Sequence, residues 1–241
     1  MIEKTRGIVL HNIKYSDSGI VVQLYTRKFG RQSFLVKGIR ARKKDRQAVF
    51  FQPMFILDTV IYFRESREMQ ILKEFSSSFS PADLYANIKK SCVAIFLGEV
   101  LTSVLKEETP NEDLFDYIEQ SIRYFDGCKE GYANFHIAFL AGLCSYLGFE
   151  PGARTEKENI FFDMMNGVFV EAPPGHSHYC DSEISNTLDL IFSSTYDTIN
   201  DIPLNGNRRN EVLDIIVQYY SLHLPGLKKI NSLTILKEVF S

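Results

Sequence analysis

Residues 20–37 read Ile-Val-Val-Gln-Leu-Tyr-Thr-Arg-Lys-Phe-Gly-Arg-Gln-Ser-Phe-Leu-Val-Lys. The first seven, Ile20–Thr26, alternate between two sets of side chains, which is the period of a β-strand. Lys28-Phe29-Gly30 then supplies a turn, and Gln32–Lys37 is again rich in strand-forming residues. The stretch therefore predicts two consecutive strands joined by a short turn.

The rest of the first 80 residues continues this pattern of short strands and turns. Further strands are predicted over Gly7–Ile13, over the apolar run Val49–Phe63 with Pro53 at an edge or bulge, and over Met69–Phe75. Five short strands in about 75 residues favour a small closed barrel, because closure leaves no unprotected edge. Strand number alone leaves an OB fold and an SH3-like barrel as alternatives.

The period changes to that of a helix at Ser80-Pro81-Ala82-Asp83, which combines a Ser cap, Pro at the first helical position and an acid. The helix that begins there is predicted to run to about Lys106, and its apolar face comprises Leu84, Ile88, Cys92, Ile95 and Leu105. Thr109-Pro110-Asn111-Glu112 starts a second helix. A third is predicted over Gly131–Leu147, with Gly148 as its left-handed cap.

Residues 149–181 are less regular and form a small insertion. Phe161–Val170 is predicted to be a hairpin with a type I′ turn at Asn166-Gly167. The last predicted helices are Ser185–Ser193, Asn207–Leu222 and Asn231–Phe240. The predicted fold class is thus α+β and multidomain, with a five-stranded barrel over residues 1–79 and a helical domain over residues 80–241.

The two halves carry opposite charge. Residues 1–80 contain 15 Lys and Arg against 7 Asp and Glu, whereas residues 81–241 contain 12 against 23. Lys37–Arg46 is the most basic segment, with six cations in ten residues, and it is predicted to be an exposed loop between two strands. Such a segment either binds an anionic partner or is an ordinary solvated face.

We interpret this segment as a nucleic-acid site, since Lys and Arg neutralise phosphates and release counterions. Tyr25 and Phe29, beside the basic turn, are the candidates for stacking on unpaired bases, while Phe34, Phe50 and Phe51 are assigned to the barrel core. The predicted DNA-binding residues are Arg27, Lys28, Arg31, Lys37, Arg40, Arg42, Lys43, Lys44 and Arg46.

Signatures of enzymes and cofactors are missing from the sequence. It has no Walker A loop, GxGxxG, HExxH or GxSxG motif, so neither catalysis nor a cofactor is expected. His176, His178 and Cys180 are three potential metal ligands in five residues, but no CxxC or HxxxH lies nearby, so no metal site is assigned. The lack of a secretory signal or a long apolar run favours a cytoplasmic protein.

Several segments, in order and spacing, resemble the RecO family of bacterial recombination mediators. They are Thr5–Leu10, Tyr15–Val22, Leu24–Thr26, Phe29-Gly30, Val36–Arg40 and Leu147–Pro151. The resemblance implies an N-terminal OB fold, binding to single- and double-stranded DNA, strand annealing, and loading of RecA onto strands covered by single-strand binding protein. It implies RecR and the acidic tail of that protein as partners. Apart from the resemblance, we expect no membrane association and a monomer in isolation. It also matches Lys37 and Arg40 to basic positions on the barrel's DNA face.

The sequence departs from the family in one respect. Several RecO proteins carry a zinc motif of two CxxC pairs, whereas residues 149–181 contain only Cys180. The hairpin is therefore expected to be held by packing rather than by zinc. The basic pairs Arg208-Arg209 and Lys228-Lys229 are possible rims of a site for an acidic tail, or helix-end charges that serve solubility.

Two other function classes are compatible with the same barrel. An RNA-binding or ribosome-associated module would use the same basic loop and would differ in its response to the 2′-hydroxyl. A metal-dependent nuclease would need a carboxylate or metal cluster that the sequence does not indicate.

Overall fold

The computed structural model describes residues 1–16, 19–37, 45–106, 109–154 and 160–240, and for residues 45 and 46 it describes the backbone only. The chain divides into two compact units. The first comprises Met1–Gly127 and Ile230–Leu236, and the second comprises Cys128–Lys229 and the residues from Lys237 onward. The first unit therefore extends beyond the barrel itself.

The first unit begins with five strands in a closed barrel. They are β1 (Ile2–Lys14), β2 (Ile20–Thr26), β3 (Gly30–Val36), β4 (Ile56–Tyr62) and β5 (Met69–Phe79). Their order around the barrel is β1-β2-β3-β5-β4, with β4 pairing back onto β1 and β3 running parallel to β5. This is the five-stranded OB barrel, which confirms the predicted fold and resolves the two alternatives.

Closure of the barrel depends on the length of β1. Its second half pairs with β2, its first half pairs with β4, and Gly7 and Ile8 pair with both neighbours. A Cβ atom at Gly7 would lie 3.2 Å from Cδ1 of Leu24, so the absence of a side chain allows close approach at this crossing point.

The prediction of a single strand over Val49–Phe63 is wrong in its first part. Asp45–Phe51 forms a 3₁₀ helix, and β4 begins only at Ile56. Phe51 is fully buried in the barrel core and Phe50 packs against that core. An apolar segment that packs into a barrel has the composition of a buried strand, so composition alone does not distinguish the two.

Three helices follow the barrel within the first unit: α1 (Ala82–Ala86), α2 (Ile88–Val104) and α3 (Glu112–Gly127). The prediction of one continuous first helix is wrong, because Asn87 is extended and its side chain accepts hydrogen bonds from the backbone N–H groups of Lys89 and Lys90. Pro81 is the N-cap of α1 rather than its first residue, and the Ser80 hydroxyl bonds Ser77 instead of capping the helix. The α3 start is confirmed, with Asn111 Oδ1 accepting from Leu114 N–H.

The predicted apolar face is right at Leu84 and Leu105, which are buried on either side of α2, but wrong at two positions within α2. Ile88 and Ile95 are 78% and 51% exposed. Most of the rest of the helix surface is buried. The buried side chains of α2 include Lys90, Val93, Ala94, Phe96, Leu97, Val100, Leu101 and Val104. A helix that is apolar nearly all round has no single face that spacing can identify.

The second unit contains α4 (Phe135–Leu147), a three-stranded sheet, α5 (Ser182–Phe192) and α6 (Gly206–His223). A last helix, α7 (Ser232–Val239), ends the described chain. Gly148 ends α4 in the left-handed conformation with φ of 82°, as predicted. In the described residues no helix has the length and apolarity needed to cross a membrane.

The sheet of the second unit is β7-β6-β8, formed by Phe161–Asp163 (β6), Val168–Val170 (β7) and Tyr179–Cys180 (β8). The hairpin is confirmed, but its turn is not type I′, which needs a positive φ at both central residues. Among the described residues at this turn only Gly167 has one. Asp163 holds the turn instead, accepting hydrogen bonds from the N–H groups of Met165 and Asn166 at 2.9 and 3.1 Å. Burial would raise the pKa of Asp163, but the bonds from Asn166 and Met165 outweigh it and lower the pKa.

Lys90 is a fully buried cation that joins α1, α2 and α3. Its Nζ donates to Asp83 Oδ2 at 2.6 Å, to Phe125 O at 2.8 Å and to Asp126 O at 3.2 Å. We predict that Lys90→Met lowers the unfolding free energy by about 1–3 kcal/mol, because it leaves buried acceptors without a donor. Urea unfolding followed by circular dichroism measures this. Lys89→Met, at an exposed neighbour, is the control, and an equal loss in both variants would contradict the assignment.

His136 should make the second unit sensitive to acid. Burial, together with the charge of Arg209, lowers the pKa of His136 to about 3, whereas an unfolded histidine titrates near 6.5. Below pH 6.5 only the unfolded state gains this proton, so stability falls by about 1.4 kcal/mol per pH unit as the pH drops. His136→Gln should flatten this dependence between pH 4 and 6.5 in urea unfolding series. His11→Gln, at an exposed site, should leave the slope unchanged, and so equal slopes in all three proteins would refute the prediction.

Candidate nucleic-acid interface

A cleft of about 700 Å³ lies on the barrel beside strands β1, β4 and β5. Four cations line it: Lys4, Arg6, Arg27 and Lys28. The side chains of Lys4 and Arg6 lie on one face of β1 because they are two residues apart, and the turn between β2 and β3 adds the other two. The same cleft is lined by Asp58 and Glu74, so it carries both signs of charge.

Helix α3 presents a row of carboxylates to two of these cations. Glu112, Asp116 and Glu119 are spaced at i, i+4 and i+7, which places them on one face of the helix. The Arg27 guanidinium donates to both Asp116 and Glu112, with Nη2 2.9 Å from Glu112 Oε2. Arg6 Nη1 lies 3.0 Å from Glu119 Oε1, and its Nε lies 3.3 Å from Asp58 Oδ1.

These contacts raise the pKa of both arginines. For Arg27 the causes are the hydrogen bonds to Asp116 and then Glu112, and for Arg6 the main cause is the bond to Glu119. Lys28 is more exposed, and its Nζ lies 3.6 Å from Glu3. Among the described residues Lys4 has no carboxylate within ion-pair distance. The lysines are thus the better-placed cations for a new anion, whereas the arginines already hold α3.

Arg31 also has an internal role. Its Nη1 donates to the carbonyl oxygens of Leu105 and Thr102 at 3.1 and 3.3 Å, at the C-terminal end of α2. A cation at this position satisfies carbonyls that lack helical partners and interacts favourably with the helix dipole. Its predicted role in DNA binding stays a prediction.

The remaining predicted cations belong to the basic loop. Lys37 is exposed and follows the last residue of β3. Arg40, Arg42, Lys43 and Lys44 lie outside the described residues, as does the side chain of Arg46. Because β3 spans Gly30–Val36, the turn cations and Lys37 are at opposite ends of a strand about 20 Å long. The predicted residues therefore do not form one compact cluster.

Of the two candidate stacking aromatics, the structure excludes one. Tyr25 is only 2% exposed, packs against Phe115 with ring centroids 6.2 Å apart, and so cannot stack on a base. Its predicted stacking role is wrong, since an aromatic residue beside a basic turn can equally face the core. Phe29 is partly exposed and stacks on Phe63, with ring centroids 4.1 Å apart.

The sheet of the second unit does not fit the zinc site of some RecO proteins. Cys180 is buried, and burial raises the pKa of its thiol to about 12, which disfavours the thiolate that zinc needs. His176 Nε2 lies 3.3 Å from Asp163 Oδ1, and His178 Nδ1 lies 3.4 Å from Gln218 Nε2. Over the described part of the chain, no group of three or more His, Cys, Asp and Glu side chains is arranged to hold a metal ion.

The possible rim cations of the second unit divide into two kinds. Arg208 is held by Glu183 and Glu211, each at 2.9 Å. Arg209 donates to Asn134 Oδ1, Leu204 O and Phe240 O, and burial lowers its pKa. Lys228 and Lys229 are exposed. The arginines are thus engaged within their unit, which favours the structural interpretation of that pair.

Sequence reasoning missed Lys4, Arg6 and Phe63. A signal was present for the first two, because cations two residues apart on a strand share a face. No local pattern indicated Phe63, because it contacts Phe29 only where the end of β4 lies beside the β2–β3 turn.

Comparison with known proteins divides the chain directly after the barrel, whereas the boundary between the two compact units lies further along, after Gly127. Residues 1–80 match the family described as Recombination protein O N terminal, and residues 85–233 match that described as Recombination protein O C terminal. The DNA repair protein RecO of Phocaeicola vulgatus is 38% identical over 241 residues, covering 100% of both chains. Those of Bacteroides fragilis and Azobacteroides pseudotrichonymphae are 37% and 34% identical, again covering 100% of both chains.

The α3 carboxylates should compete with phosphates for Arg27. We predict that Asp116→Asn weakens the hold on this guanidinium, which Glu112 then shares with phosphate, so that affinity for single-stranded DNA rises several-fold and log K falls more steeply with log[salt], by up to about 0.7. Asp113→Asn, an equal charge change on the same helix, is the control. Combining Asp116→Asn with Arg27→Ala should abolish the gain. An equal gain from Asp113→Asn would show that only overall charge matters.

Proposed function

Because this chain belongs to the recombination protein O (RecO) family of DNA repair proteins, we propose that it binds single-stranded DNA on its barrel as a recombination mediator. As a member of this family it acts in DNA repair and is not an enzyme. The observation that carries the proposal is a closed OB barrel with cations at both ends of β3. OB folds commonly bind oligonucleotides.

The barrel would hold the strand mainly through its phosphates. Lys28 at one end of β3 and Lys37 at the other are exposed, and they are separated by about 20 Å. OB folds occupy about 4–16 nucleotides, so one strand can contact both ends. The predicted loop cations Arg40, Arg42, Lys43, Lys44 and Arg46 would extend the contacts beyond Lys37. Arg27 and Arg31 would contribute only as far as their internal partners release them.

Strand annealing follows from the same electrostatics. Two complementary strands repel each other through their phosphates, and a protein that neutralises some of that charge lowers the barrier to pairing. The same contacts would apply to double-stranded DNA, which has the higher charge density. We place this activity in the cytoplasm, where a bacterial chromosome is repaired.

The partner contacts rest on the family resemblance. We propose that residues 1–79 bind DNA, whereas residues 80–241 contribute to contacts with RecR and, through the exposed Lys228 and Lys229, with the acidic tail of single-strand binding protein. In this scheme the chain acts as a monomer that brings DNA and its partners together, and so helps to load RecA. Higher affinity for RNA than for DNA of the same length would instead favour an RNA-binding module.

The salt dependence of binding tests the position of the DNA. We predict that changing Lys37, Arg40, Lys43 and Lys44 to Ala flattens log K against log[salt] for a single strand by about 0.7 per lost contact. Fluorescence anisotropy of a labelled oligonucleotide across a salt series measures the slope. Circular dichroism checks that the barrel is intact.

The control is Lys228→Ala with Lys229→Ala, which removes two exposed cations of the second unit. Its slope should match that of the unchanged protein. If the four loop substitutions leave the slope unchanged and the control flattens it, the DNA binds the helical half instead.

A further inference from the structure

A second, smaller cavity of about 280 Å³ opens at the end of the barrel away from Lys37. Three connections surround it: the β2–β3 turn, the β4–β5 turn and the segment before α3. Its lining residues are Lys28, Phe29, Gln32, Phe63, Glu65, Gln70 and Pro110. All of them lie in the first unit, so the cavity belongs to one compact body.

Two stacked aromatic rings form the apolar wall of this cavity. The centroids of Phe29 and Phe63 are 4.1 Å apart and the ring planes are inclined by only 21°. Both rings pack against the barrel core on one side and are partly exposed. Their backbones are held, since Phe63 N–H donates to Met1 O at 3.0 Å and Phe29 N–H donates to Thr26 Oγ1 at 3.1 Å.

Two buried carboxamides, Gln32 and Gln70, make the rest of the lining rigid. Gln70 is 1% exposed; its Oε1 accepts from Arg64 N–H at 2.9 Å, and its Nε2 donates to the carbonyl oxygens of Arg64 and Arg67 at 2.9 and 2.8 Å. Gln32 donates to Phe29 O at 2.9 Å. These bonds fix the β4–β5 turn and the β2–β3 turn, so the cavity is largely preformed.

The charges around the cavity suit a phosphodiester strand. Lys28 lines it, and the side chains of Arg64 and Arg67 are exposed on the turn that Gln70 fixes. Glu65 also lines the cavity, so its lining carries both signs of charge. An aromatic wall with cations at its edge is the arrangement by which OB folds hold unpaired bases.

We propose that this cavity receives one unpaired base of a single strand, stacked on the Phe29–Phe63 pair, with flanking phosphates near Lys28, Arg64 and Arg67. This inference rests on the proposed function and names a position along the bound strand. A base within a duplex is stacked on both faces and does not enter, so the cavity would favour single-stranded over double-stranded DNA. Stacking needs only a π-face, so little sequence preference is expected.

The experiment compares a dT oligonucleotide with an abasic strand of the same length. Stacking on an aromatic residue is worth about 1–3 kcal/mol per base, so the unchanged protein should prefer the dT strand by about 5-fold to 150-fold. Phe29→Leu and Phe63→Leu keep an apolar side chain but remove the ring. Each should lose most of this preference while its affinity for the abasic strand and its salt slope stay the same.

The matched control is Phe50→Leu, which removes a partly buried ring that packs against the same core at the other end of the barrel. It should keep the preference. If Phe29→Leu and Phe63→Leu keep it too, or if the unchanged protein binds both strands equally, the cavity holds no base although DNA binding stands. If the unchanged protein binds neither strand, the proposed function fails and this inference falls with it.

Discussion

The first unit depends on the length of β1, whose two halves pair with different neighbours. β1 has 13 residues, enough to bond β2 along its second half and β4 along its first half. That sharing closes the sheet, so no edge is left open to other chains. The same pairing brings the face of β1 that carries Lys4 and Arg6 beside the β2–β3 turn that carries Lys28, so these cations line one cleft.

Some cations of the barrel bind other parts of the first unit, and others are exposed to solvent. Arg6 and Arg27 bind the carboxylates of α3, and Arg31 binds carbonyl oxygens at the end of α2. The ion pairs of Arg27 are accessible to solvent and therefore weak, so phosphates at high local concentration can compete for this guanidinium, whereas Arg6 pairs with the buried Glu119. The excess of Lys and Arg in residues 1–80 therefore overstates the charge that is free for a ligand.

Local signals were reliable where one interaction decides the structure. Alternation predicted Ile20–Thr26 to the residue, and Gly148 was recognised because few other residues adopt its left-handed conformation. Errors arose where several structures share one composition. Phe50 and Phe51 pack on the barrel core from a 3₁₀ helix, and α2 is buried so widely that Ile88 and Ile95 could be placed on the wrong face.

What the sequence by itself determined was the barrel followed by helices, the basic character of the first half, and the resemblance to one family. These properties depend on periodicity, composition and order along the chain. Only the tertiary structure decided which cations are free, that Tyr25 is buried, and that Phe63 lies against Phe29. Those outcomes depend on contacts between segments distant in sequence, such as Arg27 with Asp116 on α3, and no local pattern records them.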